Sequence, residues 1–254
     1  MKQIILIAIF SIKKAIRDKT ILAMLLLFVP FLIGLHLFSF HSFGFQIKFI
    51  KDISLSYLSL LAGIMLLFLA SEQIFWFGKE KTPYHILTRI KNRFHIISGI
   101  CLGISSTIAV SMLLAVSIML LILKFTKGIW FWEFYPSALL ISLKFLIMTS
   151  IITFFGSFLS KSSALSLGIL TFITGHINSS LFLSIQDAFG NFLAEIYKVI
   201  SVIVPDFTIF GIQEVMVHDY RISAIAFISM VLYSLFTSIF YLILSTLIIN
   251  RHDL

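Results

Sequence analysis

The residues of this chain that could do chemistry are polar side chains inside strongly apolar segments. The largest group of them clusters in one segment, at Thr171, Thr174, His176, Asn178, Ser179 and Ser180. Polar groups at membrane depth must find hydrogen-bond partners or face water. The cluster therefore predicts hydrogen bonds between helices, a substrate path lined by Thr174, His176 and Asn178, or a proton relay.

Two charged residues lie inside other apolar segments. Lys144 stands about two turns from the end of its segment, so its ammonium group is expected to extend to the lipid headgroups. Glu72 stands about one turn from the end of its own segment and close to a basic stretch. We predict that Glu72 forms an ion pair there or acts as a gating contact.

The usual signatures of catalysis are missing from the sequence. GKEKT at 78–82 lacks the preceding glycine of a phosphate-binding loop, and neither HExxH nor GxSxG occurs. The one cysteine, Cys101, lies inside an apolar run, so neither a disulfide framework nor a metal-ligand cluster is expected. We therefore expect no catalytic residue, no metal and no cofactor in this chain.

The elements that must position these side chains are long apolar segments. Hydrophobic residues make up 59% of the chain, and its mean hydropathy of +1.08 is far above that of a soluble domain. Each segment has about the 20 residues that a helix needs to cross a bilayer, twice the length of a barrel strand. We predict an all-α integral membrane protein with six transmembrane helices. The spans are expected at 20–38, 53–77, 96–123, 138–159, 164–185 and 222–249.

The basic residues predict the orientation of the chain. With the N-terminus in the cytoplasm, 12 of the 19 Lys and Arg residues lie inside and six outside, while Lys144 lies within a span. The outer six are Lys48, Lys51, Lys124, Lys127, Lys198 and Arg221. By the positive-inside rule the chain is expected to be N-in and C-in. Topology thus explains most of the net charge of +8, and no nucleic-acid partner is expected.

Two segments outside the spans have helical apolar spacing. Residues 1–19 carry isoleucine at 5, 9, 12 and 16 and a basic side, which predicts a helix in the inner membrane interface or a buried helix start. Residues 186–221 contain apolar runs too short to cross a bilayer, and Pro205 ends one of them. Short outer helices, re-entrant or interfacial, are predicted there.

Shorter features complete the expected organisation. KSS at 161–163 predicts a tight inner turn that joins the fourth and fifth spans in an antiparallel hairpin. The aromatic residues of 124–137 mark an outer interface belt. Gly99 and Gly103 form a small-xxx-small pair, which predicts close helix packing inside the chain, or a dimer or moving interface.

One strongly basic segment, residues 78–95, separates the second and third predicted spans. Its sequence with the preceding phenylalanine is FGKEKTPYHILTRIKNRFH. It also contains Tyr84, Ile86 and Leu87, which could form the apolar side of a short helix. The segment is either a solvated positive anchor or a docking helix for a partner.

The order of these features resembles the permease subunits of ATP-binding-cassette (ABC) transporters of the type-two exporter class. KKAIRDKTILAMLLLFVP is similar to that family's basic first helix and its first span with a proline, here Pro30. In the basic segment, Glu80, Thr82, Ile86, Leu87, Arg93, Ile96 and Gly99 match the family pattern, and Lys81, Ile90, Asn92 and Ile100 depart from it. Later matches are Pro205, Asp206, Phe207 and Phe210, and then Arg251 and Asp253.

The resemblance implies a subunit that pairs with a second copy or a related permease in the lipid of the inner membrane. Each permease would dock a separate cytoplasmic ABC ATPase subunit, which binds ATP and Mg. Segment 78–95 would be the coupling helix. The residues that the resemblance assigns to coupling are Glu80, Thr82, Tyr84, Ile86, Leu87, Arg89 and Arg93.

Two other functions stay open at this point. An ion- or proton-coupled secondary transporter is expected to have inverted repeats, and residues 1–127 and 128–254 show no convincing repeat. A membrane scaffold or assembly subunit would use the spans only as anchors. The sequence does not identify a substrate.

Overall fold

The computed structural model describes residues 2–38, 46–75, 93–128, 130–132, 134–177, 204–211 and 223–252. Within these ranges the chain forms seven α-helices and one 3-10 turn, and no strand. The helices are α1 Lys2–Arg17, α2 Thr20–Phe38, α3 Gln46–Gln73, α4 Arg93–Lys127, α5 Phe134–Gly156, α6 Lys161–His176 and α7 Ala224–His252. The 3-10 turn is Thr208–Phe210.

Four of these helices, α3, α4, α5 and α7, are long and apolar enough to cross a membrane. Helices α1 and α2 meet at a bend of 53° and together could make a fifth span. The predicted first span, 20–38, coincides with α2. The predicted fifth span, 164–185, begins within α6 and continues beyond residue 177, outside the described residues. The described helices thus give four to five spans, and six stays a prediction.

Helix α5 lies at the centre of the bundle. Every residue from 144 to 153 is buried, because α5 packs against α3, α4, α6 and α7. Large side chains such as Phe134 and Phe145 are almost fully enclosed. A helix that is predominantly apolar and has no polar face is typical of a position surrounded by other helices.

Helices α5 and α6 form an antiparallel hairpin, as the sequence predicts. Gly168 packs against Ile152, and nearer the open end Phe172 stacks on Phe145 at 6.2 Å between ring centroids. The turn itself is 157–160, so KSS at 161–163 is the first turn of α6 and the predicted turn position was wrong. Ser160 holds the N-cap position with an extended backbone and no side-chain capping bond, and the helix starts at Lys161.

Helix α1 packs against the first turns of α4 through two glycines. A Cβ on Gly99 would stand 2.7 Å from the Cβ of Ile7, and one on Gly103 would collide with Ser11. The pairing advances in the same direction along both helices, so they run parallel at this contact. The opposite side of α1 exposes Ile5, Leu6 and other apolar residues. An interfacial position for α1 agrees with that exposed side and stays a prediction.

Candidate functional site

The candidate site is built around Lys144, which lies ten residues after the start of α5, about 15 Å along its axis. Its side chain is only 7% exposed. The Nζ atom lies 3.3 Å from Ser59 Oγ of α3 and 3.2 Å from His176 Nε2 of α6. It also lies 5.2 Å from the centroid of the Phe172 ring. Three helices therefore converge on one ammonium group.

This burial corrects the expectation that Lys144 extends to the headgroups. An extended lysine needs a helix face that is open to the membrane surface. Helix α5 has none at this level, because its neighbours cover the whole stretch 144–153. The Lys144 side chain consequently remains inside the bundle.

The hydrogen bonds of His176 define its tautomer. Its Nδ1 lies 2.8 Å from the carbonyl oxygen of Phe172, and a carbonyl can only accept, so Nδ1 carries the proton. In the neutral ring Nε2 is then an acceptor and takes a hydrogen bond from Lys144. A doubly protonated His176 would turn a second N–H toward the ammonium group, so the geometry favours the neutral ring.

The hairpin explains why these two residues meet. Lys144 and His176 are equally distant in sequence from Ser160, which starts α6 after the turn. In an antiparallel hairpin such residues lie at the same level. This symmetry about the turn is a signal in the sequence that could have placed the two residues at the same level, although their contact with each other and with Ser59 of α3 requires the tertiary structure.

Residues 204–211, which include the 3-10 turn, cover the other side of His176. The Phe207 ring lies 5.5 Å from the His176 ring and 28° from parallel to it, and Phe207 is 1% exposed. The amide of Phe207 donates to Gly175 O at 3.0 Å. The amide of Asp206 donates to the hydroxyl of Tyr233 in α7 at 3.0 Å. The segment therefore joins α6 to α7 over the site.

A cavity of about 470 Å³ borders Lys144 between α3, α5 and α6. Its polar lining comes from Ser56, Ser59, Lys144 and His176, and most of the rest is aliphatic or aromatic. Leu60, Ile64 and Ile169 line it as well and are substantially exposed, so the cavity reaches the outside of the helix bundle. Its volume lies within the range of ligand-binding pockets.

Thr171 and Thr174, the other described residues of the polar cluster, do not join this site. The hydroxyl groups of Thr171 and Thr174 donate to carbonyl oxygens of their own helix, at 2.7 Å and 2.9 Å. Such bonds satisfy a hydroxyl without a partner from another helix. Asn178, Ser179 and Ser180 lie outside the described residues. Of the two expected path residues that the structure describes, Thr174 and His176, only His176 faces the Lys144 ammonium group.

Two further predicted residues, Glu72 and Arg93, lie at the end of α3 and the start of α4, where both helices contact other helices. The Arg93 guanidinium donates to Ile249 O of α7 at 2.9 Å. The Ser11 hydroxyl donates to the side-chain oxygen of Gln73 and so joins α1 to α3. The Glu72 carbonyl oxygen lies 3.5 Å from Lys14 Nζ, and within the described ranges the Glu72 carboxylate makes no ion pair. The predicted coupling residues from Glu80 to Arg89 lie outside those ranges.

Fold and site together define the class of this chain as a helical, multi-pass membrane protein with a buried polar site between its helices. No protein-family model matches the sequence, and no curated protein matches it significantly. Among the residues that the structure describes, no group of three or more His, Cys, Asp or Glu side chains could hold a metal ion.

Proposed function

We propose that the chain is the permease subunit of an ABC exporter of the inner membrane, which moves a substrate with energy from a separate ATPase subunit. The observation that carries a transport function is the cavity beside Lys144 and His176. Buried ionisable groups are costly inside a membrane and typically mark substrate or ion pathways. A scaffold would need neither the charge nor the cavity.

The contacts at the ends of the basic segment support its proposed role in coupling. The segment joins α3 to α4, and each of these helices is tied to a further one near the junction. Gln73 of α3 bonds to Ser11 of α1, and Arg93 of α4 bonds to Ile249 of α7. An ATPase that moved the segment would thus move two helix pairs, which is the kind of rigid-body step that alternating access requires.

Partners follow from the same proposal. Tyr84, Ile86 and Leu87 would enter a cleft on the ATPase, while Glu80, Thr82 and Arg89 would contact its rim. ATP and Mg would bind to that ATPase. A second permease, identical or related, would complete the transporter in the membrane.

The second candidate function is a proton-coupled secondary transporter. The contact between Lys144 and His176 favours it, since two titratable groups in hydrogen-bond contact inside the bundle could pass a proton. This transporter would work without an ATPase.

Copurification with the ATPase subunit and reconstitution into vesicles separate these functions. We expect the wild-type chain to bind an ABC ATPase and change its rate of ATP hydrolysis, and Leu87→Asp to abolish both effects. Lys161→Asp is the matched control, because it also adds negative charge on the predicted inner side but at the start of α6. Transport by the purified chain alone, driven by a proton gradient, would contradict the ABC assignment.

A further inference from the structure

We propose that the cavity between α3, α5 and α6 binds an amphipathic anion, with its acidic headgroup on Lys144 and its apolar chain along the cavity wall. The site concerns the chain itself, and its ligand would bind whether or not an ATPase is attached. Its test is therefore independent of the function proposed above.

The first argument is the charge of the site. Among the described residues no carboxylate forms an ion pair with Lys144, whose polar partners are a serine hydroxyl and a neutral imidazole. An ammonium group buried without an anion loses much of its hydration, and the compensation from neutral partners is incomplete. A carboxylate or phosphate in the cavity would supply the missing charge.

The second argument is the geometry of the donors. Lys144 has three N–H groups, and the structure accounts for two of them, toward Ser59 and His176. Lys144 and Ser59 both line the cavity. The Ser59 hydroxyl accepts from Lys144, and its own proton is available to a second acceptor. Two donors therefore border the same space, which suits the oxygens of one acidic headgroup.

The third argument is the apolar remainder of the cavity. Leu67, Phe145, Met148 and Phe172 line it, and Ile64 and Ile169 stand where it opens. A small hydrated anion would leave these surfaces without contacts, whereas a hydrocarbon chain would cover them. The combination of one cation and a long apolar wall thus selects an amphiphile over an inorganic ion.

Binding is measured with 11-(dansylamino)undecanoic acid on the full chain in phosphatidylcholine nanodiscs. We expect saturable binding, at least tenfold weaker for Lys144→Met and close to wild type for Lys144→Arg, which keeps the charge. Lys161→Met is the matched control, because it removes an exposed lysine from the start of α6 and should change the dissociation constant less than twofold. The methyl ester of the probe should bind the wild type as weakly as the acid binds Lys144→Met.

A second variant keeps the test decisive if Lys144→Met does not fold. Gly63 lines the cavity, and a Cβ there would meet Phe145 at an ordinary 3.6 Å, so Gly63→Leu should fill the cavity with Lys144 unchanged. We expect it to abolish saturable binding. Equal binding of acid and ester, or full binding by Gly63→Leu, would overturn the proposal.

Two competitors identify the source of the headgroup. Competition by phosphatidylglycerol added to the nanodiscs would support the site with a bilayer lipid as its ligand. Probe binding that phosphatidylglycerol leaves unchanged would support a separate amphiphile. Displacement by inorganic phosphate alone, at millimolar concentration, would overturn the requirement for an apolar chain.

Discussion

The amide of Phe207 donates to the carbonyl oxygen of Gly175 at 3.0 Å, and the Phe207 ring packs against the same glycine. A Cβ on Gly175 would stand 2.5 Å from both Phe207 Cδ2 and Pro205 O. The missing side chain thus lets segment 204–211 dock on the end of α6 and cover His176. The candidate site is therefore bordered by Pro205, Asp206 and Phe207, three of the residues that match the permease pattern.

Gly175→Ala should displace this segment. The added methyl group overlaps a backbone oxygen that cannot move alone, and overpacking of this kind costs about 1–3 kcal/mol. We expect a lower midpoint of thermal unfolding in detergent. Gly34→Ala is the control, because a Cβ there meets nothing within 4 Å, and alanine favours the helix by up to about 1 kcal/mol. Equal midpoints for the two variants would contradict the docking of 204–211 on α6.

Gly103→Ala should separate α1 from α4. The new Cβ would overlap the Cβ of Ser11, which cannot move without the α1 backbone, and would stand 3.0 Å from Ala8 O. We expect the loss of thermal stability to resemble that of Gly175→Ala, at about 1–3 kcal/mol. Gly63→Ala, with its nearest contact at 3.6 Å, should unfold close to the wild-type midpoint. An unchanged unfolding midpoint for Gly103→Ala would mean that α1 does not pack against Gly103.

The pair Ser11 and Gln73 is suited to a double-mutant cycle. Ser11→Ala leaves the Gln73 side chain, 4% exposed, without its hydroxyl donor, so we expect a cost of about 1–3 kcal/mol. Gln73→Leu in the same chain should recover part of that loss. The expected coupling energy from unfolding in mixed detergent is about 0.6 kcal/mol, the average for hydrogen bonds between membrane helices, and at most about 1.7 kcal/mol. A coupling energy of zero would exclude a stabilising bond between α1 and α3.

Arg93→Met should separate two proposed roles of the basic segment, which are binding of the ATPase and transmission of its movement to α7. The Arg93 side chain is bonded to Ile249 O of α7, so we expect the variant to bind the proposed ATPase and to lose ATP-driven transport. Leu87→Asp should lose ATPase binding itself. Arg17→Met is the control for charge, since its side chain is 79% exposed, and it should transport normally. Loss of ATPase binding in Arg93→Met as complete as in Leu87→Asp would make Arg93 a docking residue.

The elements could be predicted from the sequence more fully than the contacts. The helix at 20–38, the α5–α6 hairpin and the polar character of α6 all follow from local runs of residues. The turn was misplaced by a few residues, because KSS is compatible both with a turn and with the first turn of a helix, and the local sequence does not fix such a boundary.

The candidate site was predicted only in part. His176 was expected to lie in a polar cluster, and Lys144 was expected at the headgroups. The direction in which a side chain leaves a helix depends on the rotation of that helix about its axis, and α5 has no one-sided apolar pattern that reveals it. Thr171 and Thr174 were expected in the polar cluster, but their hydroxyl groups form hydrogen bonds within α6 and need no partner from another helix.

The sequence by itself determined that this chain is a helical membrane protein, because runs of about 20 apolar residues have few other stable environments. It also determined the antiparallel α5–α6 hairpin, because a short turn leaves no room for another arrangement. Only the tertiary structure decided that Lys144 faces His176 and Ser59, that Phe207 covers His176, and that Arg93 binds α7. These are contacts between residues far apart in the chain, and the packing of whole helices sets them.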